Sequence, residues 1–342
     1  MKRPTKSETY PIDIVVPWVD PTDPAWQASR AKAAGVEIKD TEDDSEARYR
    51  DWDTIRFLFR GIEKYAPWVR TVHFVTVGHL PAWLNEDAPH LHIVRHTDYI
   101  PKAYLPTFSS HTIELNMHRI PGLAEHFIYF NDDILILKDL SRKHFFLHGL
   151  PRDAAVHTAM TSTHRYSVKD TALTDIEIIN DHFDKRKVIR GNLTKWFNPA
   201  YGGEAFKTLL LTPWNKFSDL QTWHSCVPFL KCTFEEVWNQ EFEALDSTCR
   251  HPFRTRRDVN QWLMRDWQLV KGDFIPIGAG DSNYYVLRND NHKLIEDLRG
   301  QKYSIVCLND NGEEEIENFE KVKSTLTRAM EEILPEKSSY EK

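Results

Sequence analysis

Short apolar runs alternate with amphipathic stretches along the first 140 residues of the chain. The apolar runs have the length and composition of buried strands, and they lie at 12–19, 71–77, 91–94, 127–130 and 134–137. Apolar residues recur at helical spacing over 52–65, and a second helix is predicted over 111–120, before Pro121-Gly122. This alternation predicts an α/β fold with a mostly parallel sheet flanked by helices.

The second half of the chain has a less regular pattern. Residues 191–223 are rich in Trp, Asn, Gly and Pro and predict a loop-rich region, whereas helices are predicted over 233–245 and 258–269. A last apolar run, 304–308, predicts a strand, and apolar residues at helical spacing over 319–333 predict an amphipathic C-terminal helix.

These patterns predict one domain over residues 1–310, followed by the amphipathic helix and tail at 311–342. Within that domain, 11–150 form a strand-rich half and 151–300 a loop-rich, helical half. The charge-rich segment 27–48 predicts an exposed helix or a mobile insertion.

Acidic and amide side chains follow two of the predicted strands. Asn131, Asp132 and Asp133 come directly after 127–130, and Asn309-Asp310 follow 304–308. Ligands of such sheets lie beyond the carboxyl ends of the strands, so one shared site is an economical explanation. Adjacent carboxylates repel each other and need a metal ion, a basic partner or water. Their oxygens suit Mg²⁺ or Mn²⁺, and the alternative is a solvated turn.

Composition and charge narrow the class of protein. With 342 residues and 41% hydrophobic residues the chain can bury a large core, and its net charge of −7 disfavours nucleic-acid binding. No apolar run approaches the roughly 20 residues of a membrane span, and the N-terminus has no apolar signal segment. The four cysteines show no disulfide pattern, so we expect a cytoplasmic protein. The amphipathic C-terminal helix leaves open a peripheral contact with the inner face of the membrane.

Several stretches resemble the Stealth family of hexose-1-phosphate transferases. The first two regions of that family are matched by IDIVVPWVD (12–20), RFLFRGIEKYAPWVRTVHFVTVGHLPAWL (56–84) and LPTFSSHTIELNMHRIPGLAEHFIYFNDD (105–133). HSCVPFLK through HPFRTRRDVNQ (224–261) resembles the third region, and SIVCLND (304–310) resembles the fourth. The chain departs from the family pattern at Asp20-Pro21, where relatives often have Asn-Gly, and at Trp52, where most have Asn.

The resemblance implies a Rossmann-like nucleotide-sugar transferase core and a transfer reaction. A sugar 1-phosphate, with N-acetylhexosamine 1-phosphate expected, would pass from a UDP-sugar to a hydroxyl group of a capsular polysaccharide or exopolysaccharide, releasing UMP. A divalent cation, Mg²⁺ or Mn²⁺, would assist. One alternative is a metal-dependent glycosyltransferase that releases UDP, and another is a non-catalytic polysaccharide-binding protein.

Candidate site residues come from the matched motifs and from the chemistry of phosphoryl transfer, which is mostly positioning and charge neutralisation. We predict His224, as general base, with Arg254, Asp132 and Asp133 as catalytic residues. The predicted metal ligands are Asp132, Asp133 and Asp310. The predicted substrate-binding residues are Asp20, Asp23, Arg56, Arg60, Arg119, His251, Asp258 and Asn309.

A competing arrangement of the same region is a zinc site. Histidine and thiolate side chains are the usual zinc ligands, and the available ones are His224, Cys226, Cys232, Cys249 and His251. Their spacing lacks a C-x-x-C knuckle, which disfavours this alternative.

Overall fold

A computed structural model describes residues 10–35, 50–162, 169–278, 280–310, 312 and 314–342. Its strands are β1 (Ile12–Pro17), β2 (Val72–Thr76), β3 (Leu91–Arg95), β4 (His126–Tyr129), β5 (Ile134–Ile136), β6 (Phe146–Leu147), β7 (Leu150–Asp153), β8 (Val227–Leu230), β9 (Ile275–Pro276), β10 (Ser282–Val286) and β11 (Ile305–Asn309). Its helices are α1 (Pro24–Ala34), α2 (Ile55–Tyr65), α3 (His96–Tyr99), α4 (Ser110–Leu115), α5 (Arg142–Phe145), α6 (Lys169–His182), α7 (Lys185–Gly191), α8 (Leu193–Trp196), α9 (Ala205–Leu211), α10 (Lys231–Gln240), α11 (Phe242–Arg250), α12 (Gln261–Lys271), α13 (His292–Arg299) and α14 (Phe319–Ile333).

The main sheet has the strand order β3-β2-β1-β4-β8, in which β8 alone runs antiparallel to its neighbour. Along β1, Ile14 and Val16 pack into one hydrophobic core and Val15 packs into another. Because both faces of this sheet are covered, its central strand β1 is apolar, as in other parallel sheets, except at Asp13, whose buried carboxylate accepts from Arg70 and His73. The predicted α/β fold with a mostly parallel sheet is confirmed.

A second sheet, β10-β11-β5, brings the two Asn-Asp segments together. Strand β5 runs antiparallel to β11, with Ile134 opposite Cys307, so the residues before β5 lie beside those that end β11. Helix α2 packs against β5 at Gly61, where a Cβ atom would lie 2.5 Å from the carbonyl oxygen of Ile136. Glycine is therefore required for this close approach. The third sheet, β6-β7-β9, is small.

Three predicted helices differ in their boundaries from the observed ones. The helix predicted over 111–120 ends at Leu115, because the side chain of Asn116 donates to the carbonyl of Thr112 and a short 3₁₀ turn follows. The segment predicted as one helix over 233–245 is divided into α10 and α11 at Glu241, whose backbone is not helical. The last begins at Gln261, capped by Asn260, rather than at residue 258.

The C-terminal helix α14 packs on its own domain. Val322, Leu326 and Met330 lie in the same hydrophobic core as Ile14 of the main sheet. The apolar face of α14 is therefore covered by its own domain, which is the alternative to the membrane contact that the sequence left open. None of the described helices is long and apolar enough to span a bilayer.

Two irregular segments contain more helix than their composition indicated. The segment predicted as loop-rich over 191–223 carries α8, a 3₁₀ stretch and α9. Helix α1 is largely exposed and buries Trp26 alone, in agreement with the exposed helix predicted at 27–48, although residues 36–48 of that prediction lie outside the described residues.

Candidate active site

A large cleft lies at the carboxyl ends of β1, β4 and β11. Its empty volume is about 2510 Å³, including the solvent at its mouth. The segments that line it include residues 17–19, 50–55, 107–114, 131–133, 222–225, 253–254, 260–262, 284 and 308–310. Strand ends therefore supply one wall, and the loops of the second half supply the other, as expected for a ligand site in an α/β sheet.

The carboxylates of Asp132 and Asp133 lie together at the floor of the cleft. Oδ2 of Asp133 accepts hydrogen bonds from Nδ2 of Asn309 (3.1 Å) and Sγ of Cys307 (3.3 Å). Oδ1 of Asp133 is buried and has no hydrogen-bond partner among the described residues. Burial and the neighbouring charge of Asp133 raise the pKa of Asp132 to about 7. The two neighbouring carboxylates therefore disfavour each other's ionisation.

Asp310 is engaged by two side chains from the segment before α2. Its Oδ2 accepts from Nε1 of Trp52 (3.2 Å) and contacts Nη1 of Arg50 (3.3 Å), while Oδ1 accepts from the amide of Gly312 (3.2 Å). The pattern of residues did not indicate that Arg50 and Trp52 belong to the site. The one available signal was Trp52 itself, because it departs from the family pattern at a position that now proves to contact Asp310.

The predicted shared site of the two Asn-Asp segments is present, but its acidic residues are not arranged as a complete metal site. Among the described residues, no three His, Cys, Asp or Glu side chains are grouped as metal ligands. Asp132 and Asp133 fit a divalent cation by their paired oxygens and by the unpartnered buried Oδ1. Asp310 fits less well, because both of its oxygens already accept hydrogen bonds.

His224 is exposed to the cleft at the start of the loop that leads into β8. Its ring centroid lies 4.9 Å from that of Tyr284 and 6.4 Å from that of Trp262. The hydroxyl of Tyr284 donates to Oδ1 of Asn309 at 3.1 Å, and Asn309 in turn donates to Asp133. A continuous set of contacts therefore joins the His224 ring to the carboxylate pair. Tyr284 was not identified from the pattern of residues.

Arg254 lines the cleft in the segment 253–254, and Ser110, the first residue of α4, holds its side chain. Its Nη2 donates to Oγ of Ser110 at 2.7 Å, rather than pairing with Asp258 four residues further on. Glu114 of the same helix accepts from the hydroxyl of Tyr129 at 3.0 Å, and burial together with Glu114 raises the pKa of Tyr129. The guanidinium keeps further N–H groups for a ligand, because its one hydrogen bond among the described residues goes to a neutral hydroxyl.

Asp258 and His251 form the base of the loop that carries Arg254. The Asp258 carboxylate is fully buried and accepts from His251, His111 and the amide and hydroxyl of Thr255. Burial opposes its ionisation, but these hydrogen bonds prevail and lower the pKa of Asp258 to about 2, and the bond to Asp258 raises the pKa of His251. Neither side chain is among the residues that line the cleft. Their hydrogen bonds order this loop, and their direct contact with substrate stays a prediction.

Three arginines predicted to bind phosphate lie away from the cleft lining. Arg60 is buried in a bidentate pair with Glu341, both N–O distances being 2.7 Å. Arg56 pairs with Asp53 at 2.8 Å, and Arg119 stacks over Trp238 at 4.6 Å. These guanidinium groups contact carboxylates or an aromatic face that sequence spacing does not reveal, and their substrate-binding role stays a prediction.

The carboxylates of Asp20 and Asp23 accept hydrogen bonds from residues two or three positions further along the chain. Asp20 accepts from the amide and hydroxyl of Thr22 at 2.8 and 2.6 Å. Asp23 caps α1 by accepting from the amide of Trp26 at 2.7 Å. The end of β1 does reach the cleft through Pro17, Trp18 and Val19, but the two predicted substrate-binding carboxylates beyond it do not line it.

The zinc alternative does not agree with the structure. The four cysteines are unpaired, and Cys249 is buried against Asn116 (3.4 Å). Nδ1 of His251 is used by Asp258 (2.9 Å), and His224 faces the cleft. With the described histidines and cysteines separated in this way, no zinc-type cluster forms.

Comparisons with known proteins identify the family of the chain. The chain matches the family models "Stealth protein CR1, conserved region 1" over residues 10–35 and "Stealth protein CR2, conserved region 2" over residues 48–152. It is 38% identical over 332 residues to a capsular polysaccharide phosphotransferase of Streptococcus pneumoniae, covering 97% of this chain and 98% of the relative.

Two further relatives match over nearly their whole length. A receptor polysaccharide phosphotransferase of Streptococcus oralis is 36% identical, with 96% of this chain and 99% of the relative covered. An exopolysaccharide phosphotransferase of Lactiplantibacillus plantarum is 34% identical, with 98% of each chain covered. On this similarity the chain belongs to the Stealth family and is a phosphotransferase enzyme.

Proposed function

We propose that the protein transfers a sugar 1-phosphate from a UDP-sugar to a hydroxyl group of a capsular polysaccharide or exopolysaccharide and releases UMP. This proposal rests on the residues that line the cleft, because the Asp132-Asp133 pair lines the same cavity as His224 and Arg254. The names of the three relatives, all polysaccharide phosphotransferases, support the same reaction class.

The reaction forms one P–O bond and breaks another. The acceptor oxygen attacks the β-phosphorus of the donor, the bond from that phosphorus to the bridging oxygen breaks, and UMP leaves with the bridging oxygen. The sugar stays attached to the transferred phosphorus, so the product is a phosphodiester. The acceptor proton must be removed, and His224, exposed in the cleft, is the residue we assign as its general base.

Arg254 is the residue we assign to the diphosphate. Its planar guanidinium matches two phosphate oxygens at once, and its present partner is the neutral hydroxyl of Ser110. Exchange of that hydroxyl for a phosphate oxygen replaces a neutral hydrogen bond by a charge-assisted one. Aromatic side chains of the lining, including Trp18, Trp262 and Tyr284, offer flat faces for the uracil or the sugar.

Mg²⁺ or Mn²⁺ is the proposed cofactor, and Asp132 and Asp133 are the residues that would hold it. When bound, such an ion neutralises charge on the diphosphate and on the leaving group. Isothermal titration with Mn²⁺ should show a site that Asp133→Asn weakens at least tenfold, whereas Asp139→Asn, outside the cleft lining, should leave it unchanged. Equal Mn²⁺ affinity in the Asp133→Asn variant would exclude this pair as the metal ligands.

Analysis of the nucleotide product separates this proposal from a glycosyltransferase. The purified enzyme is incubated with a UDP-N-acetylhexosamine and the acceptor polysaccharide, and the products are resolved by anion-exchange chromatography. We expect UMP in equal amount to the sugar incorporated. UDP release with glycan extension would support the glycosyltransferase, and glycan binding with no turnover of any UDP-sugar would support the non-catalytic alternative.

We place the reaction in the cytoplasm, since the cysteines are unpaired.

A further inference from the structure

The short helix α9 exposes large apolar side chains on one face. Phe206, Leu209 and Leu210 lie at i, i+3 and i+4 positions, which are neighbours on a helix surface, and Trp214 follows in the next turn. Their exposed fractions are 59%, 52%, 59% and 59%. These four residues are called the α9 patch. Single exposed apolar residues are common, but a cluster of this kind marks an interaction surface.

Buried polar contacts fix the α9 patch in its outward orientation. Thr208, on the inner face of α9, is fully buried, and its hydroxyl accepts from the amide of His157 at 2.9 Å. Lys185 is also buried and donates from Nζ to the carbonyls of Leu211 (2.5 Å) and Trp214 (2.9 Å). The turn that carries Trp214 is therefore attached to α7. The outward orientation of the exposed apolar side chains is fixed by these buried hydrogen bonds.

Basic side chains, here called the basic rim, are frequent in the segment that contains the α9 patch, although the chain is acidic as a whole. Segment 184–216 contains seven Lys and Arg residues against Asp184 and Glu204, while the whole chain has a net charge of −7. Exposed members of this basic rim are Arg186, Lys187, Arg190, Lys207 and Lys216. Arg186 donates to the side chain of Asn215 at 2.7 Å, directly beside Trp214. Lys207 pairs with Glu204 on α9.

We propose that the α9 patch and its basic rim dock the enzyme on the surface of an anionic lipid bilayer, with α9 lying in the interface. Aromatic and aliphatic side chains that enter the acyl boundary, flanked by Lys and Arg that meet acidic headgroups, are the features of such in-plane binding. A second copy of the chain fits this surface poorly, because a two-fold contact would bring the two basic rims together. Four side chains are also few for a stable protein interface of about 800 Å² per partner.

This surface is connected to the cleft through a short length of chain. After Lys216 the chain passes buried Phe217 and Leu220 and reaches residues 222–225, which line the cleft beside the catalytic candidates. Docking through α9 would therefore hold this wall of the cleft near the lipid surface. Docking by the α9 patch and its basic rim is independent of which donor and acceptor the cleft binds.

Sedimentation with vesicles tests the proposal on the full chain. Vesicles of equal parts phosphatidylglycerol and phosphatidylcholine are compared with vesicles of phosphatidylcholine alone. We expect binding to the anionic vesicles, weaker binding to the neutral ones, and a decrease on the order of tenfold or more in Leu209→Ser/Leu210→Ser and in Trp214→Ser. Phe242→Ser, which removes a side chain of similar exposure (57%) from α11, is the matched control and should bind as the wild type does.

A charge variant gives a second test that alters no apolar contact. Arg186→Glu/Lys216→Glu should lower binding to the anionic vesicles and leave the weak binding to neutral vesicles unchanged. Failure of the wild type to sediment with anionic vesicles, or equal binding by wild type and both apolar variants, would overturn the proposal. A dimer in light scattering that the α9 variants convert to monomer, with vesicle binding unaffected, would assign the α9 patch to a second copy instead.

Discussion

At the scale of single residues, the cleft combines anchored side chains with side chains that keep capacity for a ligand. Asn309 joins Tyr284 to Asp133, so the aromatic neighbour of His224 and the carboxylate pair are positioned by one amide. Asp258 also positions a residue of the cleft, because it accepts hydrogen bonds from His251 and Thr255 and so orders the loop that carries Arg254. His224 and Arg254 line the same cleft as the carboxylate pair, as an acid–base group and a phosphate-binding group of one site must do.

Replacement of His224 by alanine should slow chemistry and leave donor binding nearly unchanged. A general base acts on the acceptor proton and contributes about 10² to 10⁴-fold to the rate, so kcat should fall by that factor while the donor KM changes little. His292→Ala, at an exposed position at the start of α13, is the control. A near-normal kcat at neutral pH in the folded His224→Ala protein would remove the assignment as base.

Replacement of Arg254 by lysine should affect both binding and catalysis. Lysine keeps the charge but loses the two-pronged geometry, so we expect a higher donor KM together with a lower kcat. Arg250→Lys changes an exposed arginine that pairs with Asp246 on α11 and should leave both parameters unchanged. Unaltered donor KM in Arg254→Lys would place this side chain outside the diphosphate site.

At the scale of elements, the position of the carboxylate pair depends on β5 and its neighbours. Strand β5 begins directly after Asp133 and pairs with β11, which ends at Asn309. Apolar spacing predicted both strands, and the repeated Asn-Asp suggested that they share a site. Their antiparallel pairing was not predictable from spacing, because register across 170 residues of chain is decided by packing rather than by local propensity.

Substitution of Gly61 should disturb this arrangement. An alanine Cβ would lie 2.5 Å from the carbonyl oxygen of Ile136 in β5, so α2 and β5 must move apart, at a cost of about 1–3 kcal/mol in the free energy of unfolding. Gly191→Ala, at a position in α7 with no described atom within 4 Å of the new Cβ, should be neutral or slightly stabilising. Urea denaturation of both variants measures the difference, and equal stability would exclude the close approach of α2 to β5.

At the scale of the whole molecule, buried histidines and a buried aspartate make the free energy of unfolding depend on pH in opposite directions. Burial lowers the pKa of His118 to about 3 and of His157 to about 3. The stability they contribute as neutral groups is complete above pH 6.5 and declines as the pH falls towards 3. Burial, together with neighbouring carboxylates, raises the pKa of Asp266 to about 8, so its contribution is complete below pH 3.8 and is lost as the pH rises through 8. The two effects oppose each other between these limits.

Removal of one buried histidine should therefore change the pH dependence in a known direction. Wild type loses about 2 kcal/mol through His118 between neutral pH and pH 5, calculated from the shift between 6.5 and 3. His118→Gln cannot lose this amount, so its unfolding free energy should decrease less over the same interval, whatever its stability at pH 7. His292→Gln, exposed on α13, should follow the wild type, and parallel pH profiles for all three proteins would contradict the assignment.

The whole molecule also shows which features lie beyond sequence patterns. Strands with both faces buried and helices with one apolar face were predictable, because periodicity reports burial directly. The partners of charged side chains were not: Arg60 and Glu341 are 281 residues apart in the chain yet form a buried pair. The position of α14 could not be predicted either, since an amphipathic helix can pack on its own domain or on a membrane with the same spacing.

The fate of the β-phosphate is the most direct test of the proposed reaction. A UDP-N-acetylhexosamine donor labelled with ³²P in the β-phosphate is incubated with the enzyme and an acceptor polysaccharide, and the polymer is separated from the nucleotides. Transfer of sugar 1-phosphate predicts that the label enters the polymer and that the nucleotide product, UMP, is unlabelled. Label retained in UDP, with sugar found in the polymer, would contradict the proposal and assign the cleft to glycosyl transfer.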